Sequence, residues 1–334
     1  MLNTILYLGV AVCLGWWWLE SKRRKRHPVS PGYQANIQFP HEHEFELYHN
    51  ALSLCSMKTR ICLAELGISY HSHHIDLIET GSYESLRSHL LAVNPAGTVP
   101  VLVHNGHPVY ESHEQIRYAA QHAPAGSAHL VPEDPELRMQ MEQWVDATSL
   151  TSDPLNEMEK SAGNAVPGLT LPLFSSMIKR VAYWKIAEGL LFHFDKIRPV
   201  LFMTLKLVNL KNFHHLKPVM NIYKKGRLHM GTHLDRLEEQ LNSHQGSWIL
   251  GDQFTLADVS WLVIFERFKQ ADCLDLFLGN GQRPACHRYW QQLQKRPSYA
   301  EAIQSHSHPT IAYGTQRLKD VKGCTPKLDQ ALGG

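Results

Sequence analysis

Three small nucleophilic side chains lie close together at the start of a predicted helix. Ser53, Cys55 and Ser56 lie at the turn of segment 46–67, which is typical of a short strand, a tight turn and a helix. Backbone N–H groups at a helix N-terminus are unpaired and carry partial positive charge, which stabilises a thiolate. The turn therefore predicts a thiol site, with the sulfur supplied by Cys55 or by a ligand held by the Ser53 hydroxyl. The alternative is that Ser53 only caps the helix.

The elements after this turn predict an α/β unit of about 80 residues, within the usual size of a domain. Strands are predicted over 70–77, 99–103 and 107–110, and helices over 83–92 and 112–122. The dipeptide Asn105–Gly106 indicates a hairpin between the last two strands. The predicted order is βαβαββα.

Pro100 is unusual in this unit because it stands next to the start of a strand. A cis Val99–Pro100 bond would explain it and would leave the Val99 backbone free to pair with an extended, peptide-like ligand. An ordinary edge proline is the alternative.

The rest of the chain is predicted to be helical up to a tail. Helices are predicted over 134–160, 218–242, 284–294 and 297–304, and Thr255 with Asp258 forms a capping box. Segment 309–334 has little periodicity and is predicted to be a mobile tail.

The N-terminus has the composition of a membrane anchor. Residues 2–19 are apolar almost throughout, end in three tryptophans, and are followed by five basic residues at 22–26. The positive-inside rule then predicts a single-pass anchor over 1–21, a basic, flexible linker over 22–44, and a folded part in the cytosol. The alternative is an apolar arm packed on the protein.

Composition limits the other functions. The formal net charge of +2 gives no reason to expect a nucleic-acid partner. The six cysteines show no CxxC spacing, which indicates a reducing compartment. The 22 histidines lack the spacing of a zinc protease, so they are interpreted as surface residues and no metal site is predicted.

Five segments together resemble the soluble glutathione transferase superfamily over about residues 45–305. They are ELYHNALSLCSMKTRICLAELG, NPAGTVPVL, the ES of YESHEQIRYAA, GDQFTLADV and RPSYAEAI. The resemblance implies an α/β thioredoxin-like N-terminal domain (45–125) and an all-α C-terminal domain (132–305). With the predicted anchor, the fold class is these two domains behind an N-terminal transmembrane helix. The resemblance also implies glutathione as co-substrate.

The resemblance carries residue roles onto this sequence. Ser53 matches the activating serine of theta- and zeta-like members, and Cys55 matches the cysteine of the zeta-like turn, although Leu54 replaces one serine there. Val99 matches the residue whose backbone pairs with the cysteinyl part of glutathione, and Pro100 matches the cis-proline.

The γ-glutamyl end of glutathione has its own matches. The resemblance implies that Glu111 and Ser112 are the pair that holds it. The chemistry agrees, since a carboxylate suits the ligand's ammonium and a hydroxyl opening a helix suits its carboxylate. Donors for the glycyl carboxylate are expected within 81–90, where Arg87 and His89 are available.

Residues 161–217 are an insertion relative to typical members, since helix connections are usually short. A long connection here is similar to the subgroup of the ganglioside-induced differentiation-associated protein. The segment is apolar, and between 170 and 218 it has eight cations and two acids. It suits an acidic membrane surface, or a helical hairpin packed on the C-terminal domain or on a dimer partner.

These features predict a membrane-anchored, glutathione-dependent enzyme acting on an apolar electrophile. Conjugation is the default reaction, and thiol–disulfide reduction through Cys55 or isomerisation are open. The alternative is a non-catalytic binding or scaffold protein of the same fold at a membrane. Membrane lipid is an expected partner, and a homodimer is left open.

Overall fold

The computed structural model describes residues 2–333, whose strands form a five-stranded mixed sheet in the order β1-β5-β4-β2-β3. The strands are β1 (Gly32–Tyr33), β2 (Phe45–His49), β3 (His71–His74), β4 (Val101–His104) and β5 (His107–Tyr110). Strands β2 and β3 pair in parallel, and the other neighbours pair antiparallel.

The α-helices lie before, within and after this sheet unit. In chain order they are α1 (Leu2–Arg23), α2 (Leu54–Leu66), α3 (Ser88–Val93), α4 (Ser112–Gln121), α5 (Pro135–Asp146), α6 (Ala162–Met177), α7 (Tyr183–Phe192), α8 (Ile197–Val208), α9 (Lys217–Asn242), α10 (Leu256–Gln270), α11 (Leu274–Leu278), α12 (Pro284–Leu293), α13 (Pro297–Tyr299), α14 (Pro309–Gly323) and α15 (Pro326–Leu332). A π-helical turn, Ala300–Gln304, continues α13.

The thioredoxin-like unit forms for the reasons that its sequence indicates. Asn105 and Gly106 have φ angles of +50° and +83°, which a tight hairpin between β4 and β5 requires. Gly67 ends α2 at φ +68°, where its N–H bonds back to Leu63 and Ala64. The predicted helix over 83–92 is instead a 3₁₀ turn, Glu84–Leu86, followed by α3.

The two faces of the sheet are covered by different parts of the chain. Leu47, Leu102 and Val109 are buried in the main core with residues of α2 and α4. Val101, Val103 and Tyr110 point to the other face.

The second face corrects the prediction of a linker over 22–44. Val29, Ile37 and Phe39 pack against that face, and β1 adds a strand to the sheet beside β5. Isolated apolar residues between prolines and glycines gave no periodic signal, because their burial depends on the sheet they cover.

The helical half also differs from the sequence prediction at two places. The helix predicted over 134–160 ends at Asp146, and residues 147–161 cross irregularly to α6. The predicted mobile tail is α14 and α15, in which Ile311, Leu318 and Leu328 are buried. The capping box at the start of α10 is present as predicted, with Thr255 and Asp258 bonding each other's backbone.

The insertion divides into a buried part and an exposed part. Helix α6 is buried along most of its length and packs against α9 and α14, close enough that Gly226 of α9 lies against the Ala165 carbonyl. Helices α7 and α8 form a hairpin with a large exposed apolar face. The exposed apolar residues are Tyr183, Trp184, Leu190, Leu191, Phe194, Ile197, Val200 and Leu207.

Helix α1 leaves the folded part beside this hairpin. In the described chain it is the one helix long and apolar enough to cross a membrane, over Asn3–Arg23, and that stretch is unburied. Arg24, just after α1, is buried in ion pairs with Glu20 and with Glu188 of α7, at 2.7 and 2.6 Å. The Trp16 and Phe192 rings also touch edge to face, so the end of α1 is docked on α7.

Candidate active site at the first helix of the sheet domain

Asn50 shapes the turn that carries the predicted nucleophiles. Its buried side-chain oxygen accepts hydrogen bonds from the N–H groups of Leu52 and Ser53, and its amide donates to the Ile75 carbonyl and to Thr80. The turn is therefore held by one side chain between β2 and α2. No motif in the sequence marks Asn50, and its only signal is that it is an asparagine directly after a predicted strand.

Ser53 caps α2 while keeping a hydrogen to donate. It has φ −62° and ψ +122°, and its Oγ accepts the Ser56 N–H at 3.2 Å. A hydroxyl accepts and donates at the same time, so capping leaves its own O–H proton available to a sulfur atom. The two alternatives for Ser53, capping and thiol activation, are thus compatible.

Cys55 lies in the first turn of α2 and faces a cavity of about 250 Å³ between the two domains. Glu111 and Ser112 line the same cavity. Leu150, Val263 and Ile264 of the helical half form an apolar part of its wall. The structure thus brings a partly exposed thiol, the Glu111–Ser112 pair and an apolar surface together.

A buried lysine, which the sequence analysis missed, stands one helical turn behind Cys55. The Lys58 ammonium donates to His113 Nε2 at 2.5 Å and to Thr148 Oγ1 at 3.0 Å. Burial lowers the Lys58 pKa to about 8, while the nearby Cys55 raises it. Among residues 2–333 no carboxylate is in ion-pair contact with this ammonium, and the negative groups that act on it are Cys55 and, to a smaller extent, Asp146.

His113 is held neutral beside that lysine. Burial, and next the Lys58 charge, lower its pKa to about 2. Because Nε2 accepts from Lys58, the ring proton lies on Nδ1, which faces Ser149 Oγ at 3.4 Å and Asp146 at 3.9 Å. Lys58, unlike His113, had a signal in the sequence: it is a cation at an apolar position of the amphipathic helix α2.

The Val99–Pro100 bond is cis. Gln115 of α4 fixes this segment: its amide donates to the Pro100 and Val109 carbonyls, and its oxygen accepts from Thr59 of α2. Within the described chain, the Val99 N–H and carbonyl have no hydrogen-bonding partner.

Glu111 and Ser112 begin α4. Glu111 has φ +67°, an uncommon conformation for a residue other than glycine, and its side chain is exposed. Ser112 is buried as the first residue of the helix. Of the two donors expected for the glycyl carboxylate, Arg87 is paired with Glu188 of the insertion at 2.6 Å, and His89 is exposed.

Two family models match the chain on either side of the insertion. The glutathione S-transferase N-terminal domain matches residues 52–122, and the glutathione S-transferase C-terminal domain matches residues 222–306. The chain belongs to the soluble glutathione S-transferase superfamily. Residues 161–217, which were interpreted above as an insertion, lie between the two matched ranges.

Relatives and solved structures agree with this assignment. The chain is 23% identical to "Glutathione S-transferase TCHQD" of Arabidopsis thaliana, over 81% of this chain and 93% of that protein. It is 26% identical to the 2,5-dichlorohydroquinone reductive dechlorinase of Sphingobium indicum, over 80% of this chain and 85% of that protein. Beta-etherase LigF from Sphingobium sp. strain SYK-6 has a similar structure, with a TM-score of 0.62 at 17% identity over 79% of this chain and all of that one.

The relatives also bear on activity. They are transferases and reductive dehalogenases, which supports this glutathione S-transferase as a glutathione-dependent enzyme. These structural likenesses, at 17 and 18% identity, show the fold: a thioredoxin-like domain followed by a helical domain.

Proposed function

We propose that the chain activates the thiol of glutathione for attack on an apolar electrophile. The single observation that carries this is the cavity shared by Cys55, Glu111 and Ser112 on one side and apolar residues of α10 on the other. Glutathione would lie along the sheet domain with its sulfur at Ser53. The electrophile would contact Val263 and Ile264.

The γ-glutamyl and cysteinyl parts of the tripeptide each have a matching group. The Glu111 carboxylate suits the γ-glutamyl ammonium, and Ser112 at the start of α4 suits the adjoining carboxylate. The Val99 backbone suits the cysteinyl peptide group. The Ser53 O–H would donate to the glutathione thiolate and lower the pKa of the ligand's thiol.

Conjugation follows directly from this arrangement. The thiolate attacks the electrophilic carbon, a carbon–sulfur bond forms, and the leaving group departs with the electron pair. Isomerisation, in which glutathione adds and leaves again, needs the same groups.

A second reaction is favoured by the position of Cys55 beside Lys58. The Cys55 thiolate would attack the glutathionyl sulfur of a mixed disulfide R–S–SG, releasing R–S⁻ and forming a Cys55–glutathione disulfide. A second glutathione thiolate would then attack that disulfide, giving oxidised glutathione and restoring Cys55. The net exchange converts R–S–SG and one glutathione thiolate into R–S⁻ and oxidised glutathione, so that one incoming glutathione is the reductant and Cys55 is regenerated.

Two matched variants separate these reactions. Ser53→Ala is expected to lower the rate of conjugation with 1-chloro-2,4-dinitrobenzene at least tenfold, with a loss of about 1 kcal/mol of stability from the lost cap. Cys55→Ser is expected to keep conjugation and to abolish reduction of a glutathionylated peptide. Unchanged conjugation in Ser53→Ala would remove Ser53 from this role.

Binding must be measured apart from turnover. S-hexylglutathione is expected to raise the melting temperature of the wild type, because a ligand of the native state stabilises it. A shift without turnover of either substrate would favour the alternative, a non-catalytic binding or scaffold protein.

We also propose that α1 is a single-pass membrane anchor with the folded part on the cytosolic side. Its apolar length, its terminal tryptophans and the basic residues 22–26 support this. In cell fractionation the full-length chain should stay with membranes after carbonate washing and leave them with detergent. Release of the intact chain by carbonate would reject the anchor.

The exposed face of the α7–α8 hairpin would then rest on the same membrane surface, with lipid as its partner. The docking of Arg24 on Glu188 holds the hairpin at the end of α1. Of the cations counted in the insertion, Lys206 is buried and donates to the Ile178 and Lys179 carbonyls, whereas Lys185 and Lys196 remain on the hairpin surface. The charge available for lipid is therefore smaller than the sequence count suggests.

A further inference from the structure

The edge of the sheet next to α14 carries a compact set of metal-ligand side chains. His74 ends β3, Asp76 follows it, and His308 stands at the start of α14. Donor atoms of these three residues all lie within 4.8 Å of one another. His74 Nε2 is 3.2 Å and His308 Nε2 is 3.9 Å from the same Asp76 oxygen, Oδ1.

These residues come from distant parts of the sequence, and the fold aligns them. The rings of His74 and His308 are parallel, 7° apart, with centroids separated by 5.7 Å. Two histidines and a carboxylate form a donor set that suits a transition metal. They converge because the fold brings two segments of the chain together, not because of the periodicity of one helix or strand.

We propose that His74, Asp76 and His308 bind one divalent transition-metal ion, with Zn²⁺ as the reference ion, and that this ion joins the sheet domain to α14. This proposal does not depend on the proposed function, because none of the three residues belongs to the candidate active site.

The distances fit the coordination of zinc after small side-chain movements. Zn–N and Zn–O bonds of about 2.0–2.1 Å place tetrahedral ligand atoms about 3.3 Å apart. The separations of 3.2, 3.9 and at most 4.8 Å therefore need shifts of about 1 Å at the side-chain ends. The side chains of His74, Asp76 and His308 are 41, 31 and 22% exposed, so an ion can enter and water can complete its coordination.

The type of donor selects the class of metal. Two imidazoles and one carboxylate suit Zn²⁺, Co²⁺, Ni²⁺ or Cu²⁺, whereas Mg²⁺ and Ca²⁺ prefer oxygen ligands throughout. The carboxylate also supplies negative charge between the two rings.

Binding requires a rearrangement of protons on His308. Its Nδ1 now accepts the Thr310 N–H at 3.2 Å. If Nε2 coordinates the ion, the ring proton moves to Nδ1, and this bond is given up in exchange for the metal bond.

The ring of His49 lies beside these three residues and is held in place by hydrogen bonds. Its centroid lies 6.0 Å from that of His74. Both of its nitrogens are engaged, Nε2 with Ser72 at 2.7 Å and Nδ1 with Arg60 at 3.0 Å, so it supports the strand and is not a fourth ligand.

The test is a titration of the untagged full chain, stripped with a chelator and kept in detergent without glutathione. Isothermal calorimetry with Zn²⁺ is expected to show one site that His308→Ala and Asp76→Asn each weaken at least tenfold. His71→Ala, which removes an exposed histidine of the same strand, is the matched control and should bind as the wild type does.

A second measurement tests the joining of the two domains. Zn²⁺ should slow amide hydrogen exchange in residues 309–323 of the wild type and leave it unchanged in His308→Ala. The variants should keep their thermal shift with S-hexylglutathione, which shows that they are folded. Equal zinc affinity in wild type, His308→Ala and Asp76→Asn, or equal weakening by His71→Ala, would overturn the proposal.

Discussion

At the scale of single residues, the candidate site depends on which side chains donate hydrogen bonds and which accept them. Ser53 accepts the Ser56 N–H, and its own O–H remains to donate. Lys58 directs its ammonium at the neutral acceptors His113 and Thr148. A buried cation surrounded by neutral partners favours a negative charge nearby, and the sulfur of Cys55 is one helical turn away.

Lys58→Met should therefore make Cys55 less reactive. We expect its alkylation by iodoacetamide at pH 7 to slow several-fold, because the thiolate loses a nearby positive charge in a low-dielectric site. Mass spectrometry of the peptide containing Cys55 gives the rate separately from the exposed Cys13 and Cys324. Lys160→Met, at an exposed ion pair, is the control. Equal rates in all three proteins would contradict a role for Lys58.

His113 makes stability depend on pH. Its folded pKa is about 2, below the value of 6.5 for a free imidazole, so between these values the unfolded chain binds more protons. The free energy of unfolding must then fall as pH drops below about 6.5. From pH 7 to pH 5 the contribution of His113 is about 2 kcal/mol.

Melting temperatures measured across this range give the test. The wild type should melt at a lower temperature at pH 5 than at pH 7, and His113→Gln should show a smaller decrease. Some decrease should remain, since burial also lowers the pKa of His193, to about 4. An identical pH profile in the variant would show that His113 is protonated equally in both states.

At the scale of elements, α2 connects the two domains. Arg60 is buried and donates to the Ala302 carbonyl of the helical half and to the Asn50 carbonyl of the turn. Arg267 of α10 donates to the Leu52 carbonyl in the same turn. The helix that presents Cys55 is thus fixed from both sides.

Helix α14 is also packed into the folded core, and substitution of Leu318 tests this. Its side chain is fully buried, so Leu318→Ala should lower the free energy of unfolding by about 2–4 kcal/mol. The neighbouring exposed Lys319→Ala should change it by less than about 0.5 kcal/mol. Chemical denaturation of the detergent-solubilised chain measures both. A loss below 0.5 kcal/mol for Leu318→Ala would mean that α14 is not packed as described.

At the scale of the whole molecule, apolar α1 and the exposed face of the α7–α8 hairpin lie together. Soluble proteins rarely leave a contiguous apolar patch of this kind uncovered. The contacts of Trp16 with Phe192 and of Arg26 with Phe194 join the two surfaces. One bilayer can therefore cover both.

A fluorescent probe on the hairpin, with the protein held in nanodiscs, tests whether this face contacts lipid. In a Cys13→Ser, Cys55→Ser, Cys324→Ser background, an environment-sensitive dye on Leu191→Cys should shift to the blue and be quenched by doxyl lipids. The same dye on Leu228→Cys, an exposed apolar position of α9, is the control and should respond as in water. Equal responses at the two positions, or a blue shift of Leu191→Cys that is unaffected by doxyl lipid and grows with protein concentration, would contradict lipid contact. The second result would indicate a second copy of the chain.

Local sequence patterns were enough to predict several parts of this protein. The strand–turn–helix around Ser53, the Asn105–Gly106 hairpin and the capping box of Thr255 and Asp258 each lie within a few residues, and each has a conformational or hydrogen-bonding reason. Family membership followed from such segments and their order. The apolar character of α1 was also visible, because it depends on composition alone.

Contacts between residues that are far apart in the chain became visible only in the folded structure. The burial of Lys58 against His113, the cover that residues 29–39 give to the sheet, and the packing of Leu318 have no periodic signal, because the partner surface comes from elsewhere in the chain. For the same reason, the spacing of the histidines did not indicate that His74 and His308 lie close to Asp76. Residue types set which contacts are favourable, and the packing of the sheet, α2 and α14 set which of them form.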